Sequence, residues 1–345
     1  MLVSDAGTVI PLQAVDRPDV RAERPGCSSV GFTGWIDIRQ AAAGPWRLRY
    51  SQNGRTMEAA LPLIADGEDA RRFSEAKVRK LAALRPLLRC PLCHAALTEN
   101  GGLRCDNGHA FRTGTDAYDF LTAEIGDRVG AFPTDNVSAH GYDASLIALI
   151  EASSGPVLDV GAGARPDYRD DVFNLEIAEY PTTDVVAAIE FLPFADSSFD
   201  LVISVAVLEH VRNPFAAARE LVRILRPGGR VFAAVPFLQP YHGYPDHYYN
   251  MTAGGLRNVF ADLEVERLDV PLSGHPIFAL TWIIKSWRAA LPLRAAREFE
   301  QLRVADLAAD PMTFFGRPFV DALSEEGQRE LAALNVLVGR KPALS

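Results

Sequence analysis

In the second half of this chain the apolar positions come in short blocks rather than in alternation. Val157–Val160 runs directly into Gly161-Ala-Gly163, and Val172–Ile177, Phe199–Ser204 and Arg230–Pro236 repeat the pattern downstream. Blocks of this length predict strands covered on both faces, as in a parallel sheet. Between them, Val207–Val211 and Ala216–Leu225 carry helical spacing, and Arg226-Pro-Gly-Gly229 stops it. Ala144–Glu151 predicts the helix that leads into the first strand, and Glu264–Val270 a sixth strand. Strands alternating with helices predict an α/β fold. Pro276–Ala309 reads as mostly helical, an insertion spanning 276–310.

Upstream the pattern changes. Residues 1–64 show no helical period; short runs such as Gly31–Ile38, Trp46–Tyr50 and Ala59–Leu63 are divided by Gly44-Pro45 and Asn53-Gly54. Asn-Gly between apolar runs is a hairpin signal, so a small β-sandwich is expected. Residues 65–88 are charged and helix-permissive up to Pro86, and predict a linker helix.

Candidate chemistry sits at the ends of the predicted strands. Gly161 and Gly163 leave backbone room for a ligand, and Asp159 lies inside the first strand's end. The third glycine of a dinucleotide fingerprint would fall on Pro166, which weighs against a nicotinamide cofactor. Glu176, at the second strand's end, is placed to accept hydrogen bonds from a ribose diol. Leu192-Pro-Phe-Ala-Asp-Ser-Ser-Phe-Asp200 then feeds the strand that ends at Ser204 and Val205.

In this order the glycine turn, the acid, L-P-F-x-D-x-S-F-D and L-x-P-G-G resemble the class I S-adenosylmethionine-dependent methyltransferases, over roughly residues 140–341. The resemblance implies a Rossmann-like seven-stranded domain over 140–345, closed by Ala333–Val338 as a last antiparallel strand. It implies a cofactor site formed by Asp159, Gly161, Gly163, Glu176, Ile189, Ser204 and Val205. The methionine carboxylate would lie on the glycine-turn amides, the amino end near Asp159 and the ribose on Glu176. Where the family often has an adenine-binding Asp, this chain has Ala188, so backbone near Ile189 and apolar cover from Phe191 or Leu192 are left to hold the base.

A second motif lies at 89–122. Cys90-Pro-Leu-Cys93 is followed after eleven residues by Cys105-Asp-Asn-Gly-His109, with Gly101-Gly102 between them. Two chelating loops facing each other suit tetrahedral zinc. His94 is the alternative fourth ligand, but adjacent ligands at 93 and 94 are sterically awkward. The segment resembles the zinc ribbon of bacterial large-subunit rRNA guanine methyltransferases and of small methyltransferase activators. That likeness implies a structural metal on Cys90, Cys93, Cys105 and His109. The remaining cysteine, Cys27, reads as a buried thiol. Residues 1–64 loosely resemble accessory β-domains of surface-saccharide enzymes; packing or homodimerisation is the plainer role.

After the fifth strand comes Tyr241-His-Gly-Tyr-Pro-Asp-His-Tyr-Tyr-Asn250. His242, Asp246 and His247 are candidates for activating an acceptor, and Tyr244 and Tyr248 offer flat faces for a sugar or aromatic ring. His210 is a lesser candidate, more often structural in such folds.

Composition narrows the partners. The chain has 345 residues, 48% hydrophobic and 23% charged, with a net charge of −9. That balance argues against bulk electrostatic binding of nucleic acid. No signal-peptide pattern opens the chain and no apolar run reaches the ~18 residues of a membrane span, so a cytoplasmic location is expected. The leading expectation is methylation, at oxygen, of a saccharide or saccharide-linked acceptor, a small molecule or a glycan. An RNA methyltransferase using the ribbon, and a non-catalytic binding protein of the same fold, are the alternatives.

Overall fold

The computed structural model describes residues 1–4, 8–10, 12–16, 30–33, 36–41, 45–52, 55–61, 67–99, 101–114, 116–131, 141–165, 168–243, 246–333 and 335. Four short strands come first: β1 (Leu2–Ser4), β2 (Val9–Ile10), β3 (Gln13–Asp16) and β4 (Val30–Thr33). Two longer ones follow, β5 (Trp46–Gln52) and β6 (Arg55–Leu61). They form an antiparallel sheet in the order β2-β1-β5-β6 and a separate β3-β4 pair. The strand expected over Gly31–Ile38 ends at Thr33, and Ile38–Ala41 is a helical turn instead. Asp37 starts that turn by accepting from the Arg39 amide, a local bond that competes with strand pairing.

The main sheet has nine strands. Four are short: β7 (Thr98–Glu99), β8 (Leu103–Arg104), β9 (Ala110–Thr113) and β10 (Tyr118–Asp119). Five form the parallel part: β11 (Val157–Val160), β12 (Val172–Glu176), β13 (Val185–Val186), β14 (Phe199–Val205) and β15 (Leu225–Ala234). The order is β15-β14-β11-β12-β13-β10-β9-β8-β7. From β11 the chain moves outward to β12 and β13, then returns to the other side of β11 as β14. These three pairings, and that of β14 with β15, are all parallel. The reversal at β11 is a topological switch point, where open α/β sheets bind ligands beyond the strands' carboxyl ends.

The helix Pro214–Ile224 shows how the sheet is covered. Asn213 caps it by accepting from the Ala216 amide, and Pro214 starts it without forfeiting a hydrogen bond. Its buried residues Pro214, Ala217, Ala218, Leu221 and Ile224 form one stripe against the sheet.

The Rossmann-like order is met, but two expected strands are not in it. Glu264–Val270 is irregular, because its apolar residues Val265, Leu268 and Val270 do not recur every second position and cannot share one face of a strand. In Ala333–Val338, residues 334 and 336–338 lie outside the described residues, as do Cys27 and Tyr244. The sheet grows instead at its other edge, where β10 pairs in parallel with β13 and the antiparallel strands β9, β8 and β7 follow.

One hydrophobic core runs through both parts. Leu84, Leu88, Leu103, Phe111 and Phe120 pack in the same cluster as Leu158, Leu175, Val185, Phe194 and Phe199. The helix Gly67–Leu84 is bound to this core by a buried polar group. Lys77 and Lys80, 2% and 3% exposed, both reach the fully buried carboxylate of Asp184, at 3.3 and 2.8 Å. Asp184 also accepts from the Asn174 amide and from Tyr168 Oη.

The helical segment from Pro276 continues past its expected end to Glu330 and has a small core of its own around Leu291, Phe299, Phe319 and Leu323. Among the described residues, no helix is long and apolar enough to cross a membrane.

Candidate active site

The glycine turn after β11 is fixed by its neighbours. Gly161 and Gly163 have φ of 71° and 65°, the left-handed region that favours glycine. A Cβ on Gly161 would come within 2.3 Å of Val207 Cγ2, so only glycine lets the segment after β14 lie against the turn. The amides of Gly161 and Ala162 donate to the Leu175 carbonyl. That of Gly163 donates to Glu176 Oε2 at 3.0 Å, while Ile177 N donates to Oε1 at 2.8 Å. The amides expected at a methionine carboxylate are thus engaged within the protein. Glu176 is held beside the turn by two backbone donors; burial, ahead of these bonds, moves its pKa up.

Asp159 is 1% exposed and does not stand as a free charge. Its Oδ2 accepts from Tyr142 Oη at 2.7 Å and is paired with Arg165, whose guanidinium also stacks over the Tyr142 ring at 4.1 Å. Asp159 Oδ1 and Arg165 Nε, both buried, have no hydrogen-bond partner. The sequence reading missed Tyr142 and Arg165. The available signal was a cation two residues beyond Gly163, in reach of a carboxylate that could not stay unpaired.

Ser204 and Ile189 are buried, Val205 is half-buried, and Ser204 Oγ lacks a partner. Ala206, next in the chain, has φ 55°, a strained value for a residue with a Cβ. Asp159, Gly161, Gly163, Glu176, Ser204 and Val205 therefore gather around the carboxyl ends of β11, β12 and β14.

The loop after β15 folds back onto the segment after β14. Tyr248 N donates to the Glu209 carbonyl at 2.7 Å, and His210 Nδ1 donates to the Asp246 carbonyl at 2.7 Å. The rings of His210, His242 and His247 cluster, with centroids 4.4–5.7 Å apart. The three expected catalytic residues are differently engaged. His247 uses both nitrogens, Nδ1 accepting from His242 N and Nε2 donating to Asn250 Oδ1. Asp246 Oδ1 accepts from Tyr241 Oη at 2.6 Å and from His247 N at 3.0 Å. His242 donates Nδ1 to the Pro240 carbonyl at 2.9 Å, leaving Nε2 with its lone pair. Beneath them Glu209 is 0% exposed, and neither of its carboxylate oxygens has a hydrogen-bond partner. Burial pushes it up to about 7.

The cysteine motif closes on itself in space. His109 Nδ1 lies 3.3, 3.6 and 3.4 Å from the Sγ atoms of Cys90, Cys93 and Cys105, and Cys93 and Cys105 Sγ are 3.7 Å apart. Four ligands around one tetrahedral zinc with Zn–S near 2.3 Å would have sulfurs about 3.8 Å apart, so these four side chains fit a single ion. His94 is not in the group. β7 and β8 make the expected hairpin through Gly101 and Gly102.

Comparison with known proteins gives matches over part of the chain. Residues 158–233, from β11 into β15, match a family model for a methyltransferase domain. The chain is 31% identical over 147 residues to an uncharacterised methyltransferase of Mycolicibacterium vanbaalenii, covering 39% of this chain and 58% of that protein. It is 32% identical over 118 residues to one of Mycobacterium avium, covering 31% and 47%. The chain spans about half the length of the curated relatives it matches. Among solved structures, an S-adenosylmethionine-dependent methyltransferase from Mesorhizobium loti is 17% identical, covering 40% of this chain and 92% of that one, with a TM-score of 0.27. Residues 158–233 are thus similar to a methyltransferase domain and lie in a sheet of Rossmann-like α/β order.

Proposed function

We propose that the whole protein is an S-adenosylmethionine-dependent methyltransferase that methylates a hydroxyl of a saccharide or saccharide-linked acceptor. The observation that carries the cofactor reading is Glu176, set at a strand end beside the glycine turn of the switch point, with oxygens directed to backbone donors. A ribose diol would take up the same acceptor atoms. Arg165 Nε, buried and without a partner, is a donor suited to the methionine carboxylate, and Asp159 Oδ1 an acceptor suited to its ammonium. Ile189, Ser204 and Val205 would line the remainder.

Bound S-adenosylmethionine supplies an activated methyl group on a sulfonium, which reacts by in-line displacement, so positioning is the protein's main task. An acceptor hydroxyl must also lose its proton. The histidine cluster supports that step, and His242 Nε2 is the nitrogen of the predicted three that is left with a lone pair. Tyr241 and Tyr249, 50% and 40% exposed beside the cluster, give apolar faces suited to a sugar ring. The ribbon is read as a structural zinc site on Cys90, Cys93, Cys105 and His109.

Calorimetric titration of the purified protein tests the reading, with cofactor binding expected at micromolar affinity, roughly −8 kcal/mol. Glu176→Ala should lose about 1.5–3 kcal/mol, the worth of a hydrogen bond to a charged group. Labelled cofactor offered with separate glycan, RNA and small-molecule fractions then identifies the acceptor. A wild-type protein that binds no cofactor would overturn the reading.

A further inference from the structure

We propose that Glu209, His210 and His242 form a second metal site, distinct from the cysteine ribbon, that takes one borderline divalent transition-metal cation of the Co²⁺, Fe²⁺ or Zn²⁺ type. One ligand atom from each of the three residues lies within 4.8 Å of the others. Two independent features point to a cation.

The first is the carboxylate. Glu209 is wholly buried, and both of its oxygens lack a hydrogen-bond partner. An uncompensated carboxylate is costly in the interior, and buried charges are normally paired or bound to a metal. Among the described residues the basic side chain beside it is His210, whose Nε2 lies 3.8 Å from Oε1, too far for a hydrogen bond.

The second is the state of the two imidazoles. Each donates Nδ1–H to a backbone carbonyl, His210 to that of Asp246 and His242 to that of Pro240. Those bonds fix the tautomer and put the lone pair on Nε2 in both rings. A histidine whose second nitrogen donates to a carbonyl is the usual arrangement around a metal, where it orients the ring and raises its basicity. Gly243 belongs to the same arrangement. Its φ is 90°, and a Cβ there would meet His210 Cε1 at 2.2 Å, so glycine lets the loop lie directly on the ligand ring.

Two imidazoles and one carboxylate favour transition metals over Mg²⁺ or Ca²⁺, which prefer oxygen ligands alone. Donor atoms on a shared cation sit roughly 3–3.5 Å apart at metal–ligand distances near 2.1 Å. The 3.8 Å separation of Glu209 and His210 needs to close by less than about 1 Å. Three protein ligands leave an open coordination position, where an acceptor hydroxyl could be held. This deepens the proposed methyl transfer and rests on it only for that role: with the cation bound, His242 Nε2 is a ligand and no longer the base, and the metal instead acidifies the held hydroxyl, whose proton passes to solvent. The cation itself is detected without any activity.

The test uses the full-length protein as purified, with Co²⁺ as the probe, read by equilibrium dialysis and by absorption. Wild type should take up one Co²⁺ per chain with no thiolate-to-cobalt charge-transfer band. Glu209→Gln and His242→Ala should each weaken that uptake by at least about tenfold, since even a supporting residue's loss costs 10–100-fold. Metal held by the cysteines serves as the internal control of folding. Should Glu209→Gln fail to fold, the half-buried His242 on the loop decides the matter through His242→Ala. No Co²⁺ uptake, uptake accompanied only by the thiolate band, or uptake unchanged in His242→Ala would overturn the site. Co²⁺ binding in a protein that fails to bind S-adenosylmethionine would uphold the metal site and sink the methyltransferase reading.

Discussion

Replacing Asp184 with alanine should destabilise the protein more than a change at the glycine turn, although Asp184 belongs to no predicted site. Its carboxylate pairs with both Lys77 and Lys80, and all three side chains are at most 3% exposed. Asp184→Ala removes the carboxylate that both ammonium groups touch, leaving them only the more distant attraction of Asp116 and Asp170. Breaking a buried ion pair by removing one partner costs about 3–5 kcal/mol. For a cooperative unit of this size that lowers Tm by roughly 6–20 °C. Calorimetry and urea unfolding at neutral pH are the assays, and a second substitution, Lys80→Met, should recover part of the loss. The pH dependence carries an independent sign. Burial, ahead of the attraction of Asp184, pushes Lys80 down to about 8 from its ordinary 10.5. Between those two values the unfolded chain keeps the proton that the native protein has released. The unfolded state then binds more protons, so this group's contribution to stability rises with pH across that window and is flat below it. The Tm difference between wild type and Lys80→Met should change accordingly from pH 8 to 10. A loss under about 1 kcal/mol for Asp184→Ala, with no such pH trend, would refute the clamp.

Gly161→Ala places a methyl 2.3 Å from Val207 Cγ2 at a φ of 71°, and should lower Tm and weaken cofactor binding together. Retained binding with an unchanged Tm would show that the contact yields freely. Cys90→Ser should abolish stoichiometric zinc in mass-spectrometric metal analysis and loosen the ribbon first, leaving cofactor binding to fall only through mispositioning. His247→Ala, which breaks the bonds to His242 N and to Asn250, should disturb the loop while leaving the cofactor affinity of the turn within about twofold, roughly 0.4 kcal/mol on the same titration.

The parallel strands and their switch point were legible because strands buried on both faces write themselves as mostly apolar runs, and β11 and β14 do so but for Asp159, Asp200 and Ser204. The glycine turn, Glu176 and the cysteine spacing were legible because each needs a particular residue at a particular offset. What escaped is what depends on distant partners. Lys77 and Asp184 are 107 positions apart, and a lysine in a charged helix reads as solvated. Arg165 as partner of Asp159 needed the turn's curvature, not its composition. Glu209 carries no local signal of burial; the loop bearing Tyr248 and Tyr249, whose amides bond to its backbone carbonyl, lies far along the chain. The sixth strand failed for a local reason, since the spacing of Val265, Leu268 and Val270 matches neither period.

The junction of β10 with β13 has a further consequence for how the molecule behaves in a crowded solution. Val185 and Val186 are 0% and 6% exposed. Without β10 they would form a bare hydrophobic edge with unpaired amides and carbonyls, a template for another chain. The ribbon moves the free edge outward to β7, only two residues long, polar and exposed on both of them. The small motif thereby acts as a stopper at the end of a sheet that would otherwise invite addition of strands. Its loss would show first as self-association, with the parallel strands still in order.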